Sequence, residues 1–213
     1  MKFKYSKNCA VLLINPTIIS EIPSNLGILG AIFKENGFQV FTSINTFSSH
    51  KNVSDFVCEA KKRNVQIVGI SMMTFQVLKT YCLVRELKKE GMIVVLGGPH
   101  PSDCPEECLQ NECDIVVRNE GEETLRELCL YWKGQDSMPL GEIQGISYLD
   151  KNNKIISTPD RNRINLDTVP RPDFDIFDRA QFLNPDGLVK GVNRIYTSRG
   201  CPGRCTFCDW QVF

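Results

Sequence analysis

The sequence predicts an α/β fold, an open parallel sheet of five strands with helices on both faces. Three observations carry this. Five short apolar runs recur along residues 9–117, segments with helical apolar spacing separate them, and the loops between are short. Strands that alternate with helices in this way are joined by right-handed crossovers, which put helices on both sides of a parallel sheet.

Residues 9–14, Cys-Ala-Val-Leu-Leu-Ile, are continuously apolar, the mark of a strand buried on both faces, and Asn15-Pro16 is expected to end it. Residues 25–36 carry Leu26, Leu29, Ile32 and Phe33 at helical spacing, closed by Asn36-Gly37. Residues 38–41 are the second strand. Residues 52–63 are a helix with Val53, Phe56, Val57 and Ala60 on one face. Residues 66–70 form the third strand. Residues 75–89 form a helix with the apolar set Val77, Leu78, Tyr81, Cys82, Val84 and Leu87. Residues 92–96 are the fourth strand, a short helix lies around 104–110, and residues 114–117 are the fifth strand. Residues 121–133 are the last helix, with Glu122 and Glu123 in the first turn, where the helix dipole favours acids.

Beyond this the chain changes character. A polar linker leads into a β-hairpin, residues 143–149 and 154–157, across the polar turn 150–153. A proline-broken connector follows, with a short helix at 175–182. The expected division is an α/β domain over 1–135, a hairpin and connector over 136–193, and the start of another domain over 194–213.

Among 213 residues, 42% are hydrophobic, enough for a substantial core. Lys+Arg 25 balance Asp+Glu 25, so bulk charge gives no reason to expect a nucleic-acid surface. No apolar run has the length of a membrane span. Residues 1–7 are basic, and the apolar run after them is only strand-length, so they read as a lead-in and not a signal peptide. Ten cysteines are present, and Cys9, Cys58, Cys82 and Cys129 lie inside the α/β patterning. That placement reads as reduced, buried thiols in a cytoplasmic protein.

Open α/β sheets bind ligands at the carboxyl ends of their strands. The segments to inspect are therefore residues 15–27, beginning Asn15-Pro16, then Ser71-Met72-Met73-Thr74, Gly97-Gly98-Pro99-His100 and Arg118-Asn119-Glu120-Gly121-Glu122. A glycine pair lets the backbone lie against a bulky ligand. Neither G-x-x-x-x-G-K nor G-x-G-x-x-G follows the first strand, which argues against a nucleotide site. His100 reads as a ligand contact or as a plain loop histidine, and His50 as surface. Met72-Met73 read as apolar lining, beside a ligand or in the core. Cys104, Cys108 and Cys113 come near a cluster spacing, but the first two share a helical face and the third precedes a strand. A second metal site is the weaker reading there.

The sharpest motif is Cys201-Pro202-Gly203-Arg204-Cys205-Thr206-Phe207-Cys208-Asp209-Trp210, a C-x3-C-x2-C pattern. Pro202-Gly203 turns the chain so that three sulfurs can converge. Three thiolates are one fewer than the usual iron–sulfur set, which leaves one iron open to a small molecule. A zinc knuckle is the rival, but structural zinc takes four ligands and no fourth Cys or His follows.

This spacing, Phe207 before the third cysteine, the lead-in Tyr196-Thr197-Ser198-Arg199-Gly200 and the following Asp209-Trp210 resemble the radical S-adenosylmethionine (SAM) enzymes of the cobalamin-binding branch. The carboxyl-end loops resemble that branch's cobalamin-binding domain, a flavodoxin-like or Rossmann-like sheet. The resemblance implies that Cys201, Cys205 and Cys208 hold a [4Fe-4S] cluster whose open iron takes the amino and carboxylate groups of SAM, with Phe207 beside the adenine. It implies that Asn15, Pro16, Ser71, Met72, Thr74, Gly97, Gly98, Pro99, His100, Glu120 and Gly121 line cobalamin, Ser71 and the glycine pair at the nucleotide tail and corrin edge. One departure is clear. Cobalamin domains often carry D-x-H-x-x-G after strand one; aligned on Gly27, Ile22 and Ser24 stand at the Asp and His places. No His–cobalt bond comes from this loop.

The resemblance further implies that residues 194–198 are the first strand of a radical SAM barrel. An electron donor such as flavodoxin or ferredoxin would feed the cluster. SAM would yield a 5′-deoxyadenosyl radical, and an unactivated carbon of a small-molecule substrate would be methylated or otherwise transformed. The chain runs five residues past Cys208, so by itself it is expected to bind cobalamin without turnover. A non-catalytic cobalamin carrier or sensor, and an α/β domain with a zinc loop, are the rival readings.

Overall fold

The computed structural model describes residues 9–19, 21–46, 49–134, 138–182, 196, 198–201, 203, 205–206 and 208. Strands β1 (Ala10–Ile18), β2 (Gln39–Asn45), β3 (Val65–Ser71), β4 (Ile93–Gly97), β5 (Ile115–Val117), β6 (Ile146–Leu149) and β7 (Ile155–Ser157) form one sheet. Its order is β2-β1-β3-β4-β5-β6-β7. The first five strands pair in parallel, and β6 and β7 are antiparallel. The helices are α1 (Ser24–Glu35), α2 (Val53–Lys62), α3 (Val77–Lys89), α4 (Pro99–Asp103), α5 (Pro105–Gln110) and α6 (Glu122–Lys133).

Strand side chains alternate between faces, so each buried strand feeds two cores. Val11, Leu13, Val40, Ile67, Val95 and Ile115 meet α1 and α6 through Leu26, Phe33, Leu128 and Trp132. Leu12, Ile14, Val68, Ile70, Val94, Leu96 and Val116 meet α2, α3 and α5 through Phe56, Ala60, Leu83, Leu87 and Leu109. The continuous apolar runs of the sequence are the signature of this two-sided burial.

Several expectations are corrected. The sheet has seven strands because the hairpin, expected as a connector, pairs with β5 through β6. Arg118 is the reason it stays. Its guanidinium donates to the Ile146 carbonyl (2.9 Å), Ser147 Oγ (2.6 Å), Asp160 Oδ1 (2.9 Å) and the Thr158 carbonyl. Strand β1 runs past Asn15-Pro16 as far as Ile18, with its register to β2 shifted between Asn15 and Ile18. A proline is tolerated at such an irregularity, where no ladder N–H is required.

On α3, Leu78 is 83% exposed and Cys82 is exposed, while Thr80 and Leu83 are buried. The buried face comprises Thr80, Tyr81, Leu83, Val84 and Leu87, so Tyr81, Val84 and Leu87 lie where hydropathy put them and Leu78 and Cys82 do not. The loop after β4 is itself helical, with α4 starting at Pro99. The expected helix at 175–182 is a pair of 3-10 turns, Phe174–Ile176 and Arg179–Phe182. The first turn packs on α1, where a Cβ on Gly27 would stand 3.0 Å from Pro172 and one on Gly30 would collide with Ile176. Lys34 locks this contact with a 2.6 Å ion pair to Asp173. The expected strand at 194–198 falls largely outside the described residues.

Candidate functional site

The strand order reverses between β1 and β3, so the crevice of this sheet opens at their carboxyl ends. Asn15 and Pro16 lie at the end of β1. Asn15 Oδ1 accepts from the Thr17 N–H (3.1 Å), and the Pro16 carbonyl accepts from Asn45 Nδ2 (3.0 Å) and Lys79 Nζ (3.3 Å). The Thr17 hydroxyl is buried there with no hydrogen-bond partner among the described residues. Across the crevice, Asn25 Nδ2 donates to Ser71 Oγ at 3.4 Å and links the β1 and β3 loops.

Gly98 adopts φ +102°, and a Cβ on it would stand 2.9 Å from the Met72 carbonyl oxygen. The glycine is required so that the β4 loop can lie against the β3 loop. Ser102 Oγ donates to the Gly98 carbonyl (2.9 Å) and accepts from the Asn119 N–H (2.9 Å), which ties the β4 and β5 loops together. The β3–α3 segment presents apolar side chains to solvent, Met73, Phe75 at 72% exposure and Leu78. Large apolar groups held outward beside a glycine-lined edge form a surface suited to a flat, bulky ligand.

Other sequence-predicted residues are turned elsewhere. Met72 is fully buried in the core and reaches the crevice only through its backbone. The His100 ring points into the protein and is 5% exposed, within reach of Thr74 Oγ1 (3.3 Å) and Tyr81 Oη (3.4 Å). Thr74 thus meets His100, and Pro99 begins α4. Glu120 accepts from the Ile164 N–H (3.0 Å) and pairs with Arg199, so its carboxylate is committed within the protein. Gly121 sits where a Cβ would stand 3.0 Å from Val117. Phe75 and Leu78 were missed as site residues. An isolated apolar residue in a helical pattern reads as core unless the face is known.

None of the ten cysteines is in a disulfide; Cys9 and Cys129 are buried as expected, whereas Cys58 and Cys82 lie on the outward faces of α2 and α3 and are exposed. Cys201 and Cys205 are exposed, and Gly203 stands between their sulfurs, with its N–H 3.4 Å from Cys201 Sγ. The Cys208 N–H donates to the Cys205 carbonyl at 3.1 Å, which curls the loop. Phe207 lies outside the described residues. Cys108 and Cys113 are buried in the core, and burial pushes the Cys108 thiol up to about 11 and raises that of Cys113 as well. Arg199 Nη1 lies 2.6 Å from Glu122 Oε1 and 3.4 Å from Glu120 Oε1.

Residues 20–129 match the family described as the B12 binding domain. The chain belongs to the B12-binding domain family.

This B12-binding chain is 38% identical to an uncharacterized methyltransferase of Pyrococcus horikoshii, over 93% of the chain and 45% of that protein. It is 29% identical to 4′-phospho-dehydrooxetanocin synthase of Priestia megaterium, over 93% of the chain and 27% of that protein. The chain thus spans less than half the length of these curated relatives. Among solved structures, the cobalamin-dependent SAM radical enzyme OxsB with aqua-cobalamin and SAM bound superposes with a TM-score of 0.73 at 24% identity, over 94% of this chain and 28% of that one. The methyltransferase TsrM from Kitasatospora setae, with cobalamin and a [4Fe-4S] cluster bound, gives 0.73 at 20% identity, over 96% of this chain and 43% of that one. At these identities the likeness is one of fold.

The crevice offers a corrin two features of its own: the outward apolar side chains of Met73, Phe75 and Leu78, and a buried Thr17 hydroxyl with no hydrogen-bond partner among the described residues. Cys201, Cys205 and Cys208 are three potential thiolate donors on one loop, a set that would hold three irons of a [4Fe-4S] cluster and leave the fourth open, whereas structural zinc takes four protein ligands. No helix among the described residues is long and apolar enough to cross a membrane.

Proposed function

We propose that this chain is the cobalamin- and cluster-bearing portion of a cobalamin-dependent radical SAM enzyme. That enzyme methylates, or otherwise transforms by a radical route, an unactivated carbon of a small-molecule substrate. The observation that carries the reading is the pairing of Arg199 with Glu122 and Glu120, because Arg199 precedes Cys201 by two residues. It sets the start of the cysteine loop against the β5 loop, on the carboxyl side of the sheet where the glycine pair lies. The names of the relatives, methyltransferases among them, support the same assignment.

The division of labour follows from the chain's own groups. Cobalamin, SAM and the [4Fe-4S] cluster supply methyl and radical chemistry when bound. Gly97 and Gly98 let the β4 loop pack against Val117 and the β3 loop beside the corrin edge, and Met73, Phe75 and Leu78 exclude water from its face. Ser71, oriented by Asn25, offers a hydroxyl to the nucleotide tail. Cys201, Cys205 and Cys208 hold the cluster as thiolates, and the Gly203 N–H lies beside Cys201 Sγ. The electron comes from a partner of the flavodoxin or ferredoxin type, and the setting is cytoplasmic.

The test is anaerobic reconstitution with iron, sulfide and hydroxocobalamin, followed by desalting and absorption spectroscopy. Near-stoichiometric corrin with about four irons per chain is the expected result. Combined Cys201→Ala and Cys205→Ala should lose the iron and keep the corrin. Retention of zinc in place of iron at these thiols would overturn the cluster assignment, and loss of all corrin would overturn the cobalamin assignment.

A further inference from the structure

We propose that His100, Cys104 and Glu107 form a mononuclear site for a borderline divalent cation of the zinc class, separate from the cysteine loop. Among the described residues this is the group of three ligating side chains whose donor atoms all lie within 4.8 Å of one another. His100 Nε2 and Glu107 Oε1 are 3.8 Å apart, close to the roughly 3.3–3.8 Å between donors on one zinc ion. The short turn from α4 into α5 delivers all three, and the Cys104 N–H donates to the His100 carbonyl at 2.9 Å.

The surroundings are arranged as an outer shell would be. Thr74 Oγ1 lies 3.3 Å from His100 Nδ1. A hydroxyl accepting from Nδ1–H fixes the tautomer that leaves the Nε2 lone pair for an ion. Tyr81 Oη donates to Glu107 Oε1 at 3.0 Å, the shorter of its contacts, and so orients the carboxylate. One imidazole nitrogen, one thiolate and one carboxylate are a donor set that suits zinc and carry the two negative charges that balance a dication. On binding, the Cys104 S–H bond breaks, its proton goes to solvent, and an Sγ–metal bond forms. Three protein donors leave a fourth position for water. Thr74 follows β3 and His100 follows β4, so the ion would brace the two loops that shape the crevice.

Cobalt(II) is the probe, because thiolate ligation gives it a sulfur-to-metal charge-transfer band. The full chain carrying Cys201→Ser, Cys205→Ser and Cys208→Ser removes the loop thiols from the reading. This protein is expected to bind one equivalent of cobalt(II) with that band and with the intense visible bands of a tetrahedral site. Zinc(II) should displace it. Adding Cys104→Ser should abolish the charge-transfer band. Glu107→Gln, on the solvent side, should weaken the ion at least as much as the roughly tenfold that loss of an outer-shell partner costs. A triple variant without the thiolate band, or a band that survives Cys104→Ser, would overturn the proposal. Neither readout involves corrin or iron, so its failure is distinct from failure of the cobalamin reading.

Discussion

Arg199 and Glu122 are joined by a 2.6 Å ion pair that spans 77 positions of sequence and sets the residue before Gly200-Cys201 on the first turn of α6. Glu122 is only 9% exposed, and Glu120 stands beside it. Removing the cation leaves two shielded carboxylates facing each other, whereas removing Glu122 leaves Arg199 with Glu120 still in reach. Arg199→Met should therefore cost more than Glu122→Gln, about 1–3 kcal/mol against less than about 1. Urea melts measure the cost. Proteolysis around residues 196–200 should quicken in the Arg199 variant, and equal rates in all three proteins would show that the pair does not hold the loop.

Gly98 tests the crevice. With φ at +102° and the Met72 carbonyl 2.9 Å from where a Cβ would stand, Gly98→Ala meets both backbone strain and a collision with main chain that cannot swing away. The expected loss is about 1–3 kcal/mol. Because this contact sets the β3 and β4 loops against each other at the crevice, corrin retention should fall beyond what the lost stability explains. Gly91→Ala is the control, since its φ of +78° is strained in the same sense while nothing stands within 4 Å of its Cβ.

Phe75 separates binding from folding. It is 72% exposed, so Phe75→Ser should change stability by no more than about 0.5 kcal/mol. If the outward apolar rim covers a corrin, the same substitution should release cobalamin during desalting while thermal unfolding stays put. A variant that keeps full corrin would place the ligand elsewhere along the sheet edge.

The five parallel strands and four main helices were legible because each strand is buried on both faces and each helix on one, which leaves a strong pattern. The hairpin's attachment was not, since it depends on Arg118 reaching carbonyls that any sequence would offer. The inward turn of His100 was hidden for a similar reason. The Pro99-His100 pair reads as loop, and its partners Thr74 and Tyr81 come from a different crossover. The cysteine loop was plain in the sequence because its spacing is the chemistry. The docking of Arg199 was not, because the residues it meets are ordinary acids at the start of a helix.

Arg118 anchors the sheet's far edge. It is buried at 8% exposure, and its guanidinium serves the Ile146 carbonyl, Ser147 Oγ and Asp160 at once. Arg118→Met removes a charge-assisted donor from each, although the Ile146 carbonyl keeps the Thr158 N–H and hydroxyl, Ser147 Oγ keeps Ser157 Oγ and Asp160 is exposed, so the expected cost is about 1–3 kcal/mol. Arg118→Lys keeps the charge but cannot reproduce the fork, so it should recover only part of the loss. Denaturant melts, with hydrogen exchange at Ile146 and Thr158, would check this. Protection at both amides unchanged in Arg118→Met would mean that β5–β6 pairing suffices alone.

Glu59 gives the chain an acid-sensitive element on the opposite edge. Its carboxylate accepts from Ser43 Oγ (2.6 Å), Lys51 Nζ (2.8 Å) and Arg63 Nη2 (3.2 Å). Burial pushes the carboxyl upward, but the bonds from Lys51 and Ser43 and the charges of Lys51 and Arg63 outweigh it and hold Glu59 below its ordinary value. The unfolded chain therefore takes up this proton at a higher pH than the folded one. The contribution is complete above the unfolded value of about 4.3 and is lost as pH falls through the lower folded value. Glu59→Gln should be less stable than the parent at pH 7, and the gap should close as pH is lowered below about 4. Urea melts of both proteins across that range decide it, because a gap that stays constant would mean that shape, and not the ionised carboxylate, is what Glu59 contributes.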